Sequence, residues 1–503
     1  MLSIASSFIA ERAYVDSAEV AMAGRNFGSW SAAPWPIAAA ALMATASAIA
    51  YSPAPGMKSS TAPAWLLADD TALVMGGTGI QVPNPSPDYI ADVTTKYITS
   101  NFPEFTADQA QGLFTPENLY PLTGTKSLTL DQSLNQGVQI LHDTIMQQVG
   151  EGNRLVVLGY SQSAVIASLE MQKLAALPTE EQPRPDDLHF VLIGDPSNPN
   201  GGFFERLVGF TAPSIGATLS GATPSDTPYS TDIYTIQYDG YADFPKYPLN
   251  LPAVLNALMG VLYGHGMYPS LTPEQIADAT QLATSPGYDG ATTYYMIPTE
   301  NLPLLEPLRS IPILGDPLAD LVQPALKVIV DLGYDDPFAP TTYADVPTPV
   351  GLFPNVDLLT VLDDLARGAE QGFQQFVSDL GSLSMPDPAT LVTADLPSMP
   401  SGPSDFVSEL THVVNTVTSV IATNYAALLP TADLLLTLLT SVPLYNAQLF
   451  MDALEAGNLI DAIGNPLAAD AALISMGLGL VGLNILNTTT FTVDALTGLF
   501  TAP

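Results

Sequence analysis

The sequence predicts an α/β protein with a doubly wound, mostly parallel sheet and an additional, mainly α-helical C-terminal region. Three observations lead there. Short apolar runs suited to buried strands alternate with helix-compatible stretches between Thr71 and Ile297. Within that alternation, Arg154–Met171 (RLVVLGYSQSAVIASLEM) reads as a strand, a sharp turn and a helix in direct succession. From about residue 355 the composition changes, and no Lys or Arg follows Arg367. The expected organisation is an N-terminal signal or anchor with a linker (1–66), an α/β domain (67–345) and a helical, cation-poor region (346–503).

Composition removes several classes of function. A chain of 503 residues has room for more than one domain. Its 13 Lys and Arg against 50 Asp and Glu leave a formal charge of −37, the wrong sign for a nucleic-acid partner. Only 13% of residues are charged and 47% are hydrophobic, so this is no acidic disordered chain. The absence of cysteine removes disulfides, thiolate metal sites and thiol nucleophiles, and the four histidines lack paired spacing. No metal and no cofactor are expected.

Taken in order, Ile37–Ile49 is an apolar run short of a comfortable membrane span and of the length of a secretory core. Ala48-Ile49-Ala50 supplies small residues at a cleavage position, and Met22 would give the leader an ordinary length. Export, or anchoring to a membrane through residues 37–51, is the expectation. A Pro/Ser/Ala linker occupies about 52–66. Thr71–Met75 then reads as a buried strand leading into Gly76-Gly77-Thr78-Gly79. Glycines there let backbone N–H groups approach a ligand, and the run lacks the spacing of a P-loop or dinucleotide site. Leu130, Leu134, Val138, Leu141, Ile145 and Val149 mark an amphipathic helix over 130–149, with His142 on one of its faces.

The turn after Leu155–Leu158 is Gly159-Tyr160-Ser161-Gln162-Ser163, a G-x-S-x-[GS] nucleophile elbow. Its small residues allow a tight bend that lifts the Ser161 hydroxyl above the sheet edge. The Gln162 amide, at the start of the helix, points to where an oxyanion would form. A second donor belongs in the glycine run after the first strand, at Thr78 with Gly77. Further strands are read at Leu188–Ile193, Ile233–Tyr238 and Thr292–Ile297, and the site is expected at their carboxyl ends.

A serine nucleophile requires an imidazole to take its proton and a carboxylate to hold that imidazole. In α/β-hydrolases the chain order is Ser, acid, His. Three histidines follow Ser161: His189 lies inside a strand, His412 in the C-terminal region, and His265 in a glycine-flanked loop, YGHGMY. His265 is therefore the expected base. For the acid, Asp243 is preferred for its G-x-x-D-hydrophobe-P setting after a strand, with Asp239 as the alternative and Asp195 behind both. Gly333-Tyr334-Asp335-Asp336-Pro337 follows the histidine, breaks the order, and is read as a turn.

These stretches resemble the PE-PPE domain, a mycobacterial α/β-hydrolase family related to cutinases. The resemblance is carried by LVMGGTG (73–79), LGYSQSAVIAS (158–168), IGDPSNPNGG (193–202), YDGYADFPKYPLN (238–250) and GHGMYPS (264–270). It extends through TTYYMIPTENLPLLEPLR (292–309) and LGYDDP (332–337), covering roughly 70–340. It implies a serine hydrolase of acyl esters with Ser161 as nucleophile and His265 as base, and it places the acid in YDGYADFP. Some members transfer acyl chains onto trehalose glycolipids of the envelope. Residues 1–50 show no PE or PPE helical module, so a signal peptide or anchor is expected in place of type VII secretion.

Around this chemistry, Phe203, Phe204, Leu207, Val208 and Phe210 suggest a lid or acyl-binding wall, and Leu251–Leu262 a second apolar helix beside the base. Val356–Leu380 and Phe406–Leu429 look amphipathic, with a Pro/Ser/Met linker near 384–404. Thr431–Val442 and Ala468–Leu486 are more apolar and suit either helix packing or association with a membrane or envelope. The function expected is an exported carboxylesterase or lipase acting on a lipid or acyl ester. An acyltransferase and a non-catalytic envelope scaffold are the alternatives.

Overall fold

In this computed structural model, residues 70–79, 85–382 and 403–501 are described. The expected leader, its cleavage position and the linker over 52–66 lie outside the described residues, as does most of the linker near 384–404.

The strands, in chain order, are β1 (Thr71–Val74), β2 (Ala110–Gly112), β3 (Leu155–Tyr160), β4 (Leu188–Ile193), β5 (Thr211–Ala212), β6 (Ala217–Thr218), β7 (Thr231–Ile236), β8 (Thr280–Gln281) and β9 (Thr292–Ile297). Seven form one sheet in the order β2-β1-β3-β4-β7-β9-β8, while β5 and β6 make a separate ribbon. All pairings in the large sheet are parallel except that of edge strand β8 with β9. Central strands β3 and β4 are buried along their length but for His189, as apolar runs in a sheet covered on both faces must be.

Side chains alternate between two cores. Leu73, Leu155, Val157, Phe190, Leu192 and Ile233 point to one face, and Ala72, Val74, Val156, Leu158, Val191 and Ile193 to the other. The first face is covered by α2 (Leu130–Gly150) and α3 (Gln162–Ala175), and the second by α1 (Pro87–Val93) with the segment after it. Thr129 caps α2 through a reciprocal box with Gln132, which fixes where that helix begins. Helix α4 (Leu251–Tyr263) starts on Asn250, whose side chain accepts the Ala253 N–H, and it ends against His265.

The chain runs from β1 outward to β2, then returns to β3 on the other side of β1. The direction of winding therefore reverses between β1 and β3. At such a switch point the loops leaving the carboxyl ends diverge and leave a crevice. Here those loops carry Gly76–Gly79 and Ser161.

The described residues form one compact unit. Helices α5 (Gly315–Asp331) and α6 (Leu358–Ser382) pack through glycines, with Gly368 set against Ala325 and Gly372 against Leu321. Helix α7 (Pro403–Ala426) precedes the long pair α8 (Leu428–Glu455) and α9 (Leu459–Thr501). Val442 and Tyr445 of α8 and Ala468, Ala469, Ala472 and Leu473 of α9 belong to the same core as the first sheet face. The C-terminal helices thus share a core with the α/β body.

Candidate active site

Ser161 sits between β3 and α3 with φ 57° and ψ −115°, a strained geometry for a residue bearing a side chain. Two neighbours make the bend feasible. At Gly159 a Cβ would come within 2.6 Å of the Ser163 carbonyl oxygen and 2.8 Å of the Ala164 nitrogen, so strand end and helix start meet over a missing side chain. Ser163 closes the turn, its Oγ accepting the Tyr160 N–H at 2.8 Å and donating to the Tyr160 carbonyl at 3.2 Å.

His265, the base expected from the sequence, stands beside Ser161. His265 Nε2 lies 2.7 Å from Ser161 Oγ, and both residues are 9% exposed. Behind the ring, His265 Nδ1 lies 2.9 and 2.8 Å from the two carboxylate oxygens of Asp239, which is fully buried. The acid on the imidazole is therefore Asp239, the alternative, and not the preferred Asp243. The reason is local backbone geometry: Tyr238 turns through φ 65° at the end of β7 and aims Asp239 at the histidine. Asp243, four residues on, turns back, and its Oδ2 accepts the Tyr238 N–H at 2.7 Å. Burial pushes the Asp243 carboxyl up to about 7, opposed by that N–H and by Arg206. Asp195 serves a neighbouring turn, accepting from the Ser197 N–H at 2.9 Å and the Thr223 hydroxyl at 2.6 Å.

Gly77, Thr78 and Gln162 gather beside Ser161. A Cβ on Gly77 would stand 3.4 Å from Ser161 Cβ and 3.0 Å from the Tyr160 ring. The Gln162 side chain reaches Thr78 Oγ1 at 3.4 Å and the Asn118 carbonyl at 2.9 Å, while its Oε1 accepts from Ser133 Oγ at 2.8 Å. The Gln162 amide, first in α3, lacks an intrahelical acceptor by the geometry of a helix start. The glycine loop is tied to the next segment by the Gly79 N–H on the Glu117 carbonyl at 3.3 Å. Glu117 itself is buried, with φ 37° and its carboxyl on Thr115 Oγ1; burial pushes that carboxyl up to about 9.

Aromatic rings enclose the imidazole. Tyr241 meets it edge-on at 4.8 Å, Tyr160 lies 5.8 Å away, and the Tyr160 hydroxyl donates to the His265 carbonyl at 2.6 Å. Tyr268 donates its hydroxyl to Asp239 Oδ2 at 2.8 Å. The sequence reading missed Tyr268, Tyr241, Asn118, Ser133 and Glu117. For Tyr268 a signal was available, since His265 and Tyr268 are three apart in one short loop.

The other histidines go elsewhere. His142 Nδ1 meets Glu170 at 2.7 Å on the α2–α3 interface, His189 stacks on Phe102 at 4.8 Å, and His412 is exposed on α7. Phe203, Phe204, Leu207 and Phe210 are buried in the main core and only Val208 is exposed, so this stretch is packing and not a movable lid. Helix α4 does expose Leu251, Leu255 and Leu262, and Met267, two residues from His265, is exposed as well. Among the described residues, no three His, Asp or Glu side chains converge as a metal site would require.

A mostly parallel sheet, a strained serine at its switch point and an imidazole–carboxylate pair behind it are the features of an α/β-hydrolase-like protein. The chain belongs to the PE-PPE domain family, whose model matches residues 106–335. It is 46% identical to the uncharacterized PPE family protein PPE28 of Mycobacterium tuberculosis (strain ATCC 25618 / H37Rv), over 84% of this chain and 66% of that one. To the Esterase PE16 of the same strain it is 51% identical, over 58% of this chain and 53% of the relative. To the SL1278 acyltransferase Chp1, again of that strain, it is 31% identical over 54% and 65%. The chain spans between about half and two thirds of the length of these curated relatives.

Proposed function

We propose that this chain is a serine esterase of lipid-type acyl esters, working through an acyl-enzyme on Ser161. The observation that carries the reading is the 2.7 Å separation of Ser161 Oγ and His265 Nε2, with Asp239 on the far nitrogen. The identity to the Esterase PE16 supports the same reaction class.

In the proposed reaction, Ser161 Oγ attacks the ester carbonyl while His265 Nε2 takes its proton. Asp239 keeps the Nδ1–H directed inward and stabilises the imidazolium that forms. The backbone N–H groups of Gln162 and of the Gly77–Thr78 turn would receive the negative oxygen, a contribution typically worth about 10²–10³ in rate per donor. The imidazolium then protonates the departing alcohol, and a second nucleophile, activated by the same base, releases the acyl group. Leu255, Leu262 and Met267 offer an apolar wall for the acyl chain.

When the second nucleophile is water the product is a free acid; when it is a sugar hydroxyl the enzyme is an acyltransferase. The identity to the SL1278 acyltransferase Chp1 favours keeping that second reading. Envelope localisation, with export signalled by residues 37–51, belongs to the same proposal. It is supported by two helical stretches, Thr411–Glu455 and Leu459–Leu499, long and apolar enough to cross a membrane. The deciding experiment follows hydrolysis of p-nitrophenyl esters of graded chain length by the wild type and Ser161→Ala, with and without trehalose as acceptor. Ser161→Ala is expected to lose both free-acid and acyl-sugar products. Equal activity of the two proteins, or none in either, would favour the scaffold.

A further inference from the structure

Asp239 accepts from three donors: His265 Nδ1, the Tyr241 N–H at 3.0 Å and the Tyr268 hydroxyl at 2.8 Å. The imidazole and the phenol come from one short 3₁₀ turn, His265–Ser270. With three residues per turn, positions i and i+3 stand one above the other, so His265 and Tyr268 present their polar ends to one carboxylate. We propose that Tyr268 is a positioning residue for the reaction, holding Asp239 in the one orientation that keeps the His265 Nδ1–H directed at it. This rests on the serine-esterase reading given above.

Several observations place Tyr268 in this role rather than in ordinary packing. Its hydroxyl is fixed from the other side, accepting the Ile236 N–H at 2.9 Å, so the phenolic proton has Asp239 as its acceptor. Ile236 is the last residue of β7, and its carbonyl accepts the Asp239 N–H at 3.1 Å. One strand end thus sets both the carboxylate and the phenol. The ring is fully buried, with Tyr160 at 5.8 Å, the His265 ring edge-on at 6.2 Å, and Gly194 leaving room where a Cβ would come within 2.7 Å of Cε2. A separate packing contact, the Tyr97 hydroxyl on the Tyr268 carbonyl at 2.8 Å, reaches neither the phenol oxygen nor Asp239. Burial and the Asp239 charge raise the phenol well above its ordinary range, so it remains a neutral donor.

The consequence is kinetic. Without the phenol, the carboxylate keeps two of its three donors and gains freedom to rotate, and the imidazole loses its fixed partner when charge develops. Tyr268→Phe is expected to lower kcat per folded protein on the order of tenfold, as for a lost hydrogen bond to a charged group. KM for a short p-nitrophenyl ester should stay unchanged, since nothing that touches the substrate has moved. Tyr97→Phe removes a hydrogen bond to the backbone of the same residue without touching the carboxylate. It should lower Tm and leave kcat alone. In an Asp239→Ala background the Tyr268→Phe loss should fail to multiply, because the group it acts through is gone.

Three results would overturn the proposal: a Tyr268→Phe kcat within twofold of wild type, the same kcat loss in Tyr97→Phe, or losses that multiply in the double variant. An active Ser161→Ala protein would instead sink the esterase reading beneath it. An inactive Ser161→Ala with a fully active Tyr268→Phe removes only the role of the tyrosine.

Discussion

Asp243 Oδ2 accepts the backbone N–H of Tyr238 at 2.7 Å, and Tyr238 immediately precedes the aspartate that faces the imidazole. Two carboxylates four residues apart therefore have different tasks: one meets His265 and the other pins the turn that presents it. Asp239→Asn is expected to cut kcat by about 10²–10⁴, as when the imidazole loses its orienting charge. Asp243→Asn keeps an oxygen for the Tyr238 N–H and should cost less than about tenfold. Steady-state kinetics on a short ester measure both, and the reverse ranking would return the acid role to Asp243.

Gly194 has φ 58°, and a side chain there would meet Tyr268 Cε2 at 2.7 Å and His265 Cε1 at 3.3 Å. Gly194→Ala should lower Tm, since the left-handed backbone alone costs an alanine about 1–2 kcal/mol. It should also lower kcat, because the ring that must give way lies against His265, the proposed base. Thermal unfolding and turnover measured on the same preparation test the pair of effects.

Several buried carboxyls lie above their ordinary range because of burial: Asp195 at about 6, Asp243 and Glu205 at about 7, and Glu117 at about 9. A folded-state value raised above the unfolded one means that the fold binds the proton more tightly. The stability so gained is complete below about pH 4 and is lost as pH rises through each folded value. Tm should therefore fall from pH 5 toward pH 9. Glu117→Gln removes the group with the highest value and should flatten the decline above pH 7. Scanning calorimetry across that range is the check, and a Tm rising with pH would refute the assignment.

The outward faces of α8 and α9 carry Leu439 at 76% exposure, Leu444 at 74% and Leu478 at 56%. If those faces meet lipid, the protein should float with uncharged vesicles in a density gradient. Leu439→Glu together with Leu444→Glu should abolish flotation, each charge costing about 2–3 kcal/mol in hydrocarbon. Short-ester hydrolysis should persist in that variant. A wild-type protein that remains at the bottom of the gradient removes the lipid-facing reading.

What the sequence made legible follows from how local each signal is. Ser161 was readable because Gly159 and Ser163 must be small for the strand and helix to meet, and His265 because the other histidines sit on regular elements. The choice between Asp239 and Asp243 was not readable. Both follow the same strand, and a single positive φ at Tyr238 decides which one faces the ring. Strand β7 was expected two residues later than it lies, because the first apolar side chain is Ile233, whereas pairing with β9 starts at the polar Thr231 and Asp232. Strands β2 and β8, of three and two residues, are too short to show any period. The phenylalanines over 203–210 were ambiguous because apolar side chains line a lid and a core alike, and only the packing separates them.

Most of what would prepare the imidazole lies in a single excursion of the chain, between β7 and β9. It leaves β7 at Ile236 and enters β9 at Thr292, touching the sheet in between at the two-residue edge strand β8, and ahead of β8 come Asp239, Tyr241, helix α4, His265 and Tyr268. Both ends are clamped by neighbouring parallel strands, β7 and β9, paired residue for residue from Thr231↔Thr292 to Ile236↔Ile297. The proposed proton-handling apparatus is in effect a cartridge with fixed terminals. A related chain could lengthen, shorten or resurface this span, and so retune which acyl group is accommodated, while the serine and its oxyanion donors stay where the first three strands hold them.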